Sequence, residues 1–181
     1  MRSKPLYSTL LFFFLIFSFG TAQTKDTGPV IEEFGAVWMI EDPDYKTLSD
    51  EPLKVVFDIM NSPESPSVLN ASIETAARFL NMHAQAGVPL ENLKVALVVH
   101  NKASKDIITN EAYQKRYGVN NPNEKMIKAL FNAGAEIIFC GQSSLSRGFP
   151  RSETIEGVQF GLSAMTALIQ LQNEGYRLVK F

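Results

Sequence analysis

The chain has a single cysteine, Cys140, and its surroundings suit a reactive sulfur. It closes the apolar run Ile137–Phe139, and Gly141, Gln142 and Ser143 follow it, with Arg147 and Arg151 a few residues on. A short apolar run reads as a buried strand, glycine turns the backbone, and the polar residues open a helix. A thiol placed there faces the N–H groups and positive dipole end of that helix, which favour the nucleophilic thiolate. A guanidinium close by acts in the same sense, so Arg147 is read as a cation beside the thiol that could also hold an anionic donor. The competing reading is a packing role, since unpaired cysteine is among the most buried residue types.

A second polar group lies at the same level of the fold. His100 and Asn101 end the apolar run Leu93–Val99, and ligands of open α/β sheets bind beyond the carboxyl ends of the strands. His100 could move a proton for the thiol. The candidate catalytic residues are therefore Cys140 and His100, and the candidate substrate-binding residues are Asn101, Gly141, Gln142, Ser143 and Arg147. With two histidines and one cysteine, no metal-ligand cluster is expected, and His83 is assigned a packing or surface role. The chain carries no glycine-rich phosphate loop, no G-x-S-x-G elbow and no C-x-x-C pair, so no cofactor is expected.

The elements that must position these residues alternate. Leu53–Met60 reads as a buried strand, and Ser67–Ala86 as a helix with Leu69, Ile73, Ala76, Ala77, Leu80 and Ala84 on one stripe. The strand Leu93–Val99 follows, then a short helix or irregular crossover with a charged face at Asn110–Tyr117. A further helix is capped by Asn121, with Pro122 in its first turn and Glu124 reaching back. After the Cys140 strand come an extended piece at Ile155–Phe160 and a helix capped by Ser163 that buries Met165, Leu168 and Ile169. Gly175 closes that helix, and Tyr176–Phe181 forms a terminal strand. Alternation of this kind predicts an α/β fold with a mostly parallel sheet covered on both faces.

The remaining sequence sets the context. A chain of 181 residues, 45% hydrophobic and 20% charged, suggests one globular domain. Its formal net charge of −2, with no basic patch, speaks against nucleic acid as a partner. Residues 1–22 read as a signal peptide: Arg2 and Lys4 precede the apolar Leu10–Phe19, and Gly20-Thr21-Ala22 offers a cleavage site before Gln23. The apolar run is about half of the roughly 20 residues a membrane span needs, so cleavage and export to the periplasm or medium are expected, without stable membrane insertion. Residues 23–52 form an N-terminal arm whose Phe34 and Trp38–Ile40 are too apolar to stay solvated, and they pack on the domain or on a neighbouring subunit. A lone cysteine outside the cytoplasm is either buried or used.

From Lys54 to Phe181 the chain resembles the DsrE/DsrF-like family, which includes YchN-like proteins. The resemblance rests on VVFDI in the first strand, VVH ending the second, the NPNEKMIKALFNAGAEIIFCGQS block, and the closing SAMTALIQLQNEGYRLVKF. It implies a three-layer α/β/α sandwich with a mainly parallel five-stranded sheet over 53–181, and a homo-oligomer, trimer or hexamer. In sulfur-relay members the cysteine matching Cys140 carries sulfur as a persulfide. A leader sequence departs from the cytoplasmic relay members, so the resemblance carries over the thiol chemistry and not their tRNA pathway. Three functions fit: an exported sulfur carrier or sulfurtransferase-type protein, served by a small sulfur donor or a partner thiol protein; a non-catalytic oligomeric module that binds a ligand or protein; and a thiol redox sensor.

Overall fold

A computed structural model describes residues 24–180. The reading of residues 1–22 as a signal peptide falls outside the described residues. Five strands form one parallel sheet in the order β4-β3-β2-β1-β5: β1 Leu53–Ile59, β2 Leu93–Val99, β3 Glu136–Cys140, β4 Gln159–Gly161 and β5 Arg177–Val179. The helices are α1 Ala71–Gln85, α2 Asn110–Tyr117, α3 Glu124–Asn132, α4 Gly141–Arg147 and α5 Ala164–Asn173. Among the described residues no helix is long and apolar enough to cross a membrane.

Strand alternation sorts the core into two faces. Val55, Phe57, Val95, Leu97, Ile137 and Phe139 point toward α1 and α3, where Ile73, Leu80, Met126 and Leu130 complete the larger cluster. Val56, Ala96, Val98 and Cys140 point the other way, under Ala164, Ala167 and Leu171 of α5. Burial on both faces is why β2 is an unbroken apolar run. The larger face carries more helices, and the smaller one rests on α5.

Several boundaries differ from the sequence reading, each for a local reason. Helix α1 starts at Ala71 rather than Ser67 because Asn70 caps it, its side chain accepting from Ser72 N. Asn121 does not cap α3; its Oδ1 accepts from Asn123 N and its amide donates to the carbonyls of Asp106 and Ile108. Glu124 does not reach back to Asn121, since its carboxylate takes Asn110 N and Lys128 Nζ. Of Ile155–Phe160, only the end pairs as β4. Ser163 caps α5 as expected, accepting from Thr166 N. The buried side of α5 differs: Met165 and Ile169 are exposed, Leu168 is half-buried, and Ala164, Ala167 and Leu171 face the sheet. Small side chains let α5 lie close to the strands, so its larger residues point outward.

The arm packs on its own domain at one end and stays open at the other. Ile31 and Val37 are buried. Asn81 of α1, fully buried, accepts from the N–H groups of Val30 and Ile31 and donates to the carbonyls of Ile31, Phe34 and Gly35. Gly35 adopts φ +72° and presses on α1, where a Cβ would come within 2.5 Å of the Ala77 carbonyl carbon. Trp38, Met39 and Ile40, farther along, are exposed.

A polar knot ties the loops at the carboxyl end of the sheet. Asp106 is fully buried and accepts from Ser62 Oγ at 3.0 Å, Asn70 Nδ2 at 2.7 Å and Asn123 Nδ2 at 3.3 Å. Asn123 Oδ1 in turn accepts from Asn70 N at 2.7 Å. One carboxyl group thereby joins the loop after β1 to the first turns of α1 and α3.

Candidate functional site

The end of β3 meets the starts of two helices. Cys140 is the last residue of the strand and the residue before α4. Its side chain turns to the α5 face, and β4, the neighbouring strand, delivers the first turn of α5 beside it. Gly141 makes the approach possible: a Cβ there would stand 2.9 Å from the Gly161 carbonyl oxygen. Gln142 clasps the same loop, its amide donating to Leu162 O at 3.4 Å.

Two opposed effects act on the thiol. Burial pushes its pKa up, since the residue is only 5% exposed. Hydrogen bonds from the Ser143 N–H and hydroxyl, the Ala164 N–H and the Gln142 N–H favour the thiolate and outweigh burial, so the pKa lies below its ordinary value. These donors come from α4 and α5, arranged as a nest for an anion. Desolvation makes each fixed dipole count for more than it would in water.

Neither arginine is among the groups that act on the sulfur. The guanidinium of Arg147 donates to Asn101 Oδ1, and Arg151 lies over the Phe160 ring, 4.0 Å from its centroid. Arg147 joins the site through Asn101, its guanidinium reaching back from the end of α4 to the Asn101 side chain. Asn101 is itself linked to the site. Its backbone N–H donates to Ser143 Oγ at 3.0 Å.

His100 continues β2 with extended backbone. It stands one position beyond the last registered pair, Val99 with Phe139, level with Cys140 on the next strand. Its imidazole turns to the strand on the other side, where Nε2 lies 2.7 Å from Asp58 Oδ1. Facing an acceptor, Nε2 carries the proton and Nδ1 is the free acceptor. Lys180 Nζ meets the other carboxylate oxygen of Asp58 at 3.2 Å. The structure thus gathers Cys140, Gly141, Gln142, Ser143, Asn101 and Arg147 in one network, with His100 beside it on a separate acidic anchor.

Sequence reasoning missed Asp58, Lys180 and Ala164. VVFDI does place Asp58 on the same strand face as Val56, but its pairing with His100 requires β1 beside β2. Ala164 offers only a backbone N–H and has no side-chain signature. A groove of about 700 Å³ between the arm and α3, lined by Glu32, Glu33, Lys125 and Lys128 among others, lies apart from this chemistry. Nothing in the sequence had marked it.

Comparison with known proteins settles the lineage of this arrangement. The profile of the DsrE/DsrF-like family matches residues 54–181. The chain belongs to the DsrE/DsrF-like family. Its fold is similar to that of the protein of unknown function MTH1491 from Methanobacterium thermoautotrophicum, at TM-score 0.54 and 17% identity, covering 70% of this chain and 97% of that one. It is also similar to the ychN protein from E. coli, at TM-score 0.50 and 18% identity, covering 71% of this chain and 99% of that one. Identities this low bear on the fold alone. No curated protein matches the chain. The DsrE/DsrF-like match spans all five strands and every thiol-directed donor, and it begins after the arm.

Proposed function

We propose that the protein is an exported sulfur carrier that holds sulfane sulfur on Cys140 as a persulfide. Membership of a sulfur-relay family and the nest of donors around the thiol support this reading, and the nest carries it. In the loading step the Cys140 thiolate attacks the outer sulfur of a persulfide donor, R–S–SH. A new S–S bond forms on Cys140, the donor's S–S bond breaks, and the electron pair leaves on R–S⁻, which takes up the S–H proton that the transferred sulfur gives up. The total oxidation level of sulfur is unchanged. The new persulfide anion is held by the same Ser143, Gln142 and Ala164 donors. We assign to His100, oriented by Asp58, the relay of that proton through Nδ1, which accepts it from the transferred sulfur and passes it to the leaving thiolate. The donor is a small persulfide or a partner protein's thiol chemistry.

The test is intact-mass analysis of protein collected outside the cytoplasm, before and after exposure to a persulfide donor. The expected chain starts at Gln23 and gains one sulfur atom that reductant removes. Cys140→Ser gains none. An intact Met1 in a membrane fraction would overturn export, and no sulfur gain by the wild type would overturn the carrier. A second reading, a binding module with Cys140 as packing, draws on the thiol's place in the cluster with Ala167 and Leu171; it predicts that unchanged mass.

We also assign self-association to the strip beside the thiol. Leu145, Leu162, Met165 and Ile169 are all exposed there, more apolar surface than a free face ordinarily carries. Light scattering at micromolar concentration is expected to give a trimer or hexamer, and a monomer at every concentration would remove the assignment.

A further inference from the structure

We propose that Asn101 is a positioning residue for the thiol, acting through its backbone N–H on Ser143 rather than through its side chain on a substrate. The inference rests on Cys140 acting as a thiolate.

Three linked observations carry it. Asn101 adopts φ +53°, a left-handed conformation that Asn tolerates and that branched residues avoid. In that conformation its N–H reaches Ser143 Oγ at 3.0 Å. Its side-chain Oδ1 accepts from the Arg147 guanidinium, which ties the side chain to the end of α4. A serine hydroxyl has one proton and two lone pairs. With the Asn101 N–H on its oxygen, the Ser143 hydroxyl has its proton left for the Cys140 sulfur, whose thiolate it favours. The turn after β2 thereby fixes the rotor of a hydroxyl on α4. Arg147 acts at the outer end of the chain as a latch on the Asn101 conformation, not as a cation for the thiol.

The measurement is the titration of Cys140 followed by NMR of a ¹³Cβ label, which needs neither a sulfur donor nor reagent access. Asn101→Gly keeps the N–H and accepts positive φ, so its midpoint stays within about 0.2 pH unit of wild type. Asn101→Val disfavours the conformation and raises the midpoint by about half a unit, part of one charge-assisted hydrogen bond. Asn101→Ala, a milder strain, moves the same way if the valine variant does not fold. Arg147→Ala falls between the glycine and valine variants. Equal midpoints for Gly and Val, or for Gly and Ala where Val is unfolded, would overturn the proposal. So would a glycine midpoint raised as far as theirs, because the side chain would then be the active part. The carrier reading fails separately, on absent sulfur uptake.

Discussion

Asp106→Ala lowers the free energy of unfolding by about 3 kcal/mol. The substitution removes the acceptor of the Ser62 hydroxyl and of one N–H on each of the Asn70 and Asn123 amides, whose second donations to Asn61 O and Asn121 Oδ1 remain. An orphaned buried donor costs about 1–3 kcal/mol, and the hydroxyl can turn to another acceptor. Urea denaturation measures the loss, and a change under about 1 kcal/mol would show that the knot is not needed. The same group has a pH signature. Burial raises its pKa, against the pull of the Asn70 and Ser62 hydrogen bonds and the Lys105 charge. The folded state therefore keeps the proton where the unfolded chain has lost it. The stability this contributes is full below the ordinary aspartate range and is lost as pH rises through the raised value. Asp106→Asn does not titrate, so the difference in stability between wild type and this variant should shrink with pH across that window. A flat difference would mean that burial does not set the proton.

Ser143→Ala raises the midpoint of Cys140 alkylation by about one pH unit, the worth of one hydrogen bond to a thiolate. The hydroxyl and N–H of Ser143 both favour the charged sulfur, and alanine keeps only the N–H. The rate does not simply fall tenfold. A thiolate of higher pKa is intrinsically more nucleophilic, with a Brønsted slope of about 0.4–0.5. Well below both midpoints the variant is slower by roughly threefold, and well above them it is faster by roughly threefold. The two pH–rate curves should cross. Curves that scale uniformly at every pH would mean that Ser143 controls access to the sulfur rather than its charge.

How far the sequence could be read depended on whether a feature was local. The bounds of β2 were legible because a run buried on both faces has no polar interruption, and those of α2 coincide with the expected Asn110–Tyr117. Ser163 was legible as a cap because it acts within one turn. The inward face of α5 was not, because size was read as burial. With α5 lying close to the sheet, Ala164 and Ala167 go inward and Met165 and Ile169 outward. At the candidate site, Cys140, Gln142 and Ser143 lie together because they are near neighbours in sequence. Arg147, also close in sequence, is engaged by Asn101, a partner that comes from the turn after β2. The pairing of His100 with Asp58 and the donation from Ala164 to Cys140 depend on which strands are neighbours. Strand order arises from the whole sheet and leaves no local mark.

That strand order also sets a timetable for folding. The first strand, β1, pairs with the last, β5, joining Val55–Phe57 to Arg177–Val179. Closing so long a stretch of chain has an entropic cost that nearer pairings avoid, and distant contacts slow folding. A chain emerging from its N-terminus can join β1 to β2 and β2 to β3, but one edge of β1 stays bare until β5 docks. Lys180, next to β5, meets Asp58 only when β5 is in place, so the carboxylate that holds His100 gains its second partner with that pairing. Until then the nascent sheet offers an unpaired edge to any other strand in reach, and the closing residues end that exposure.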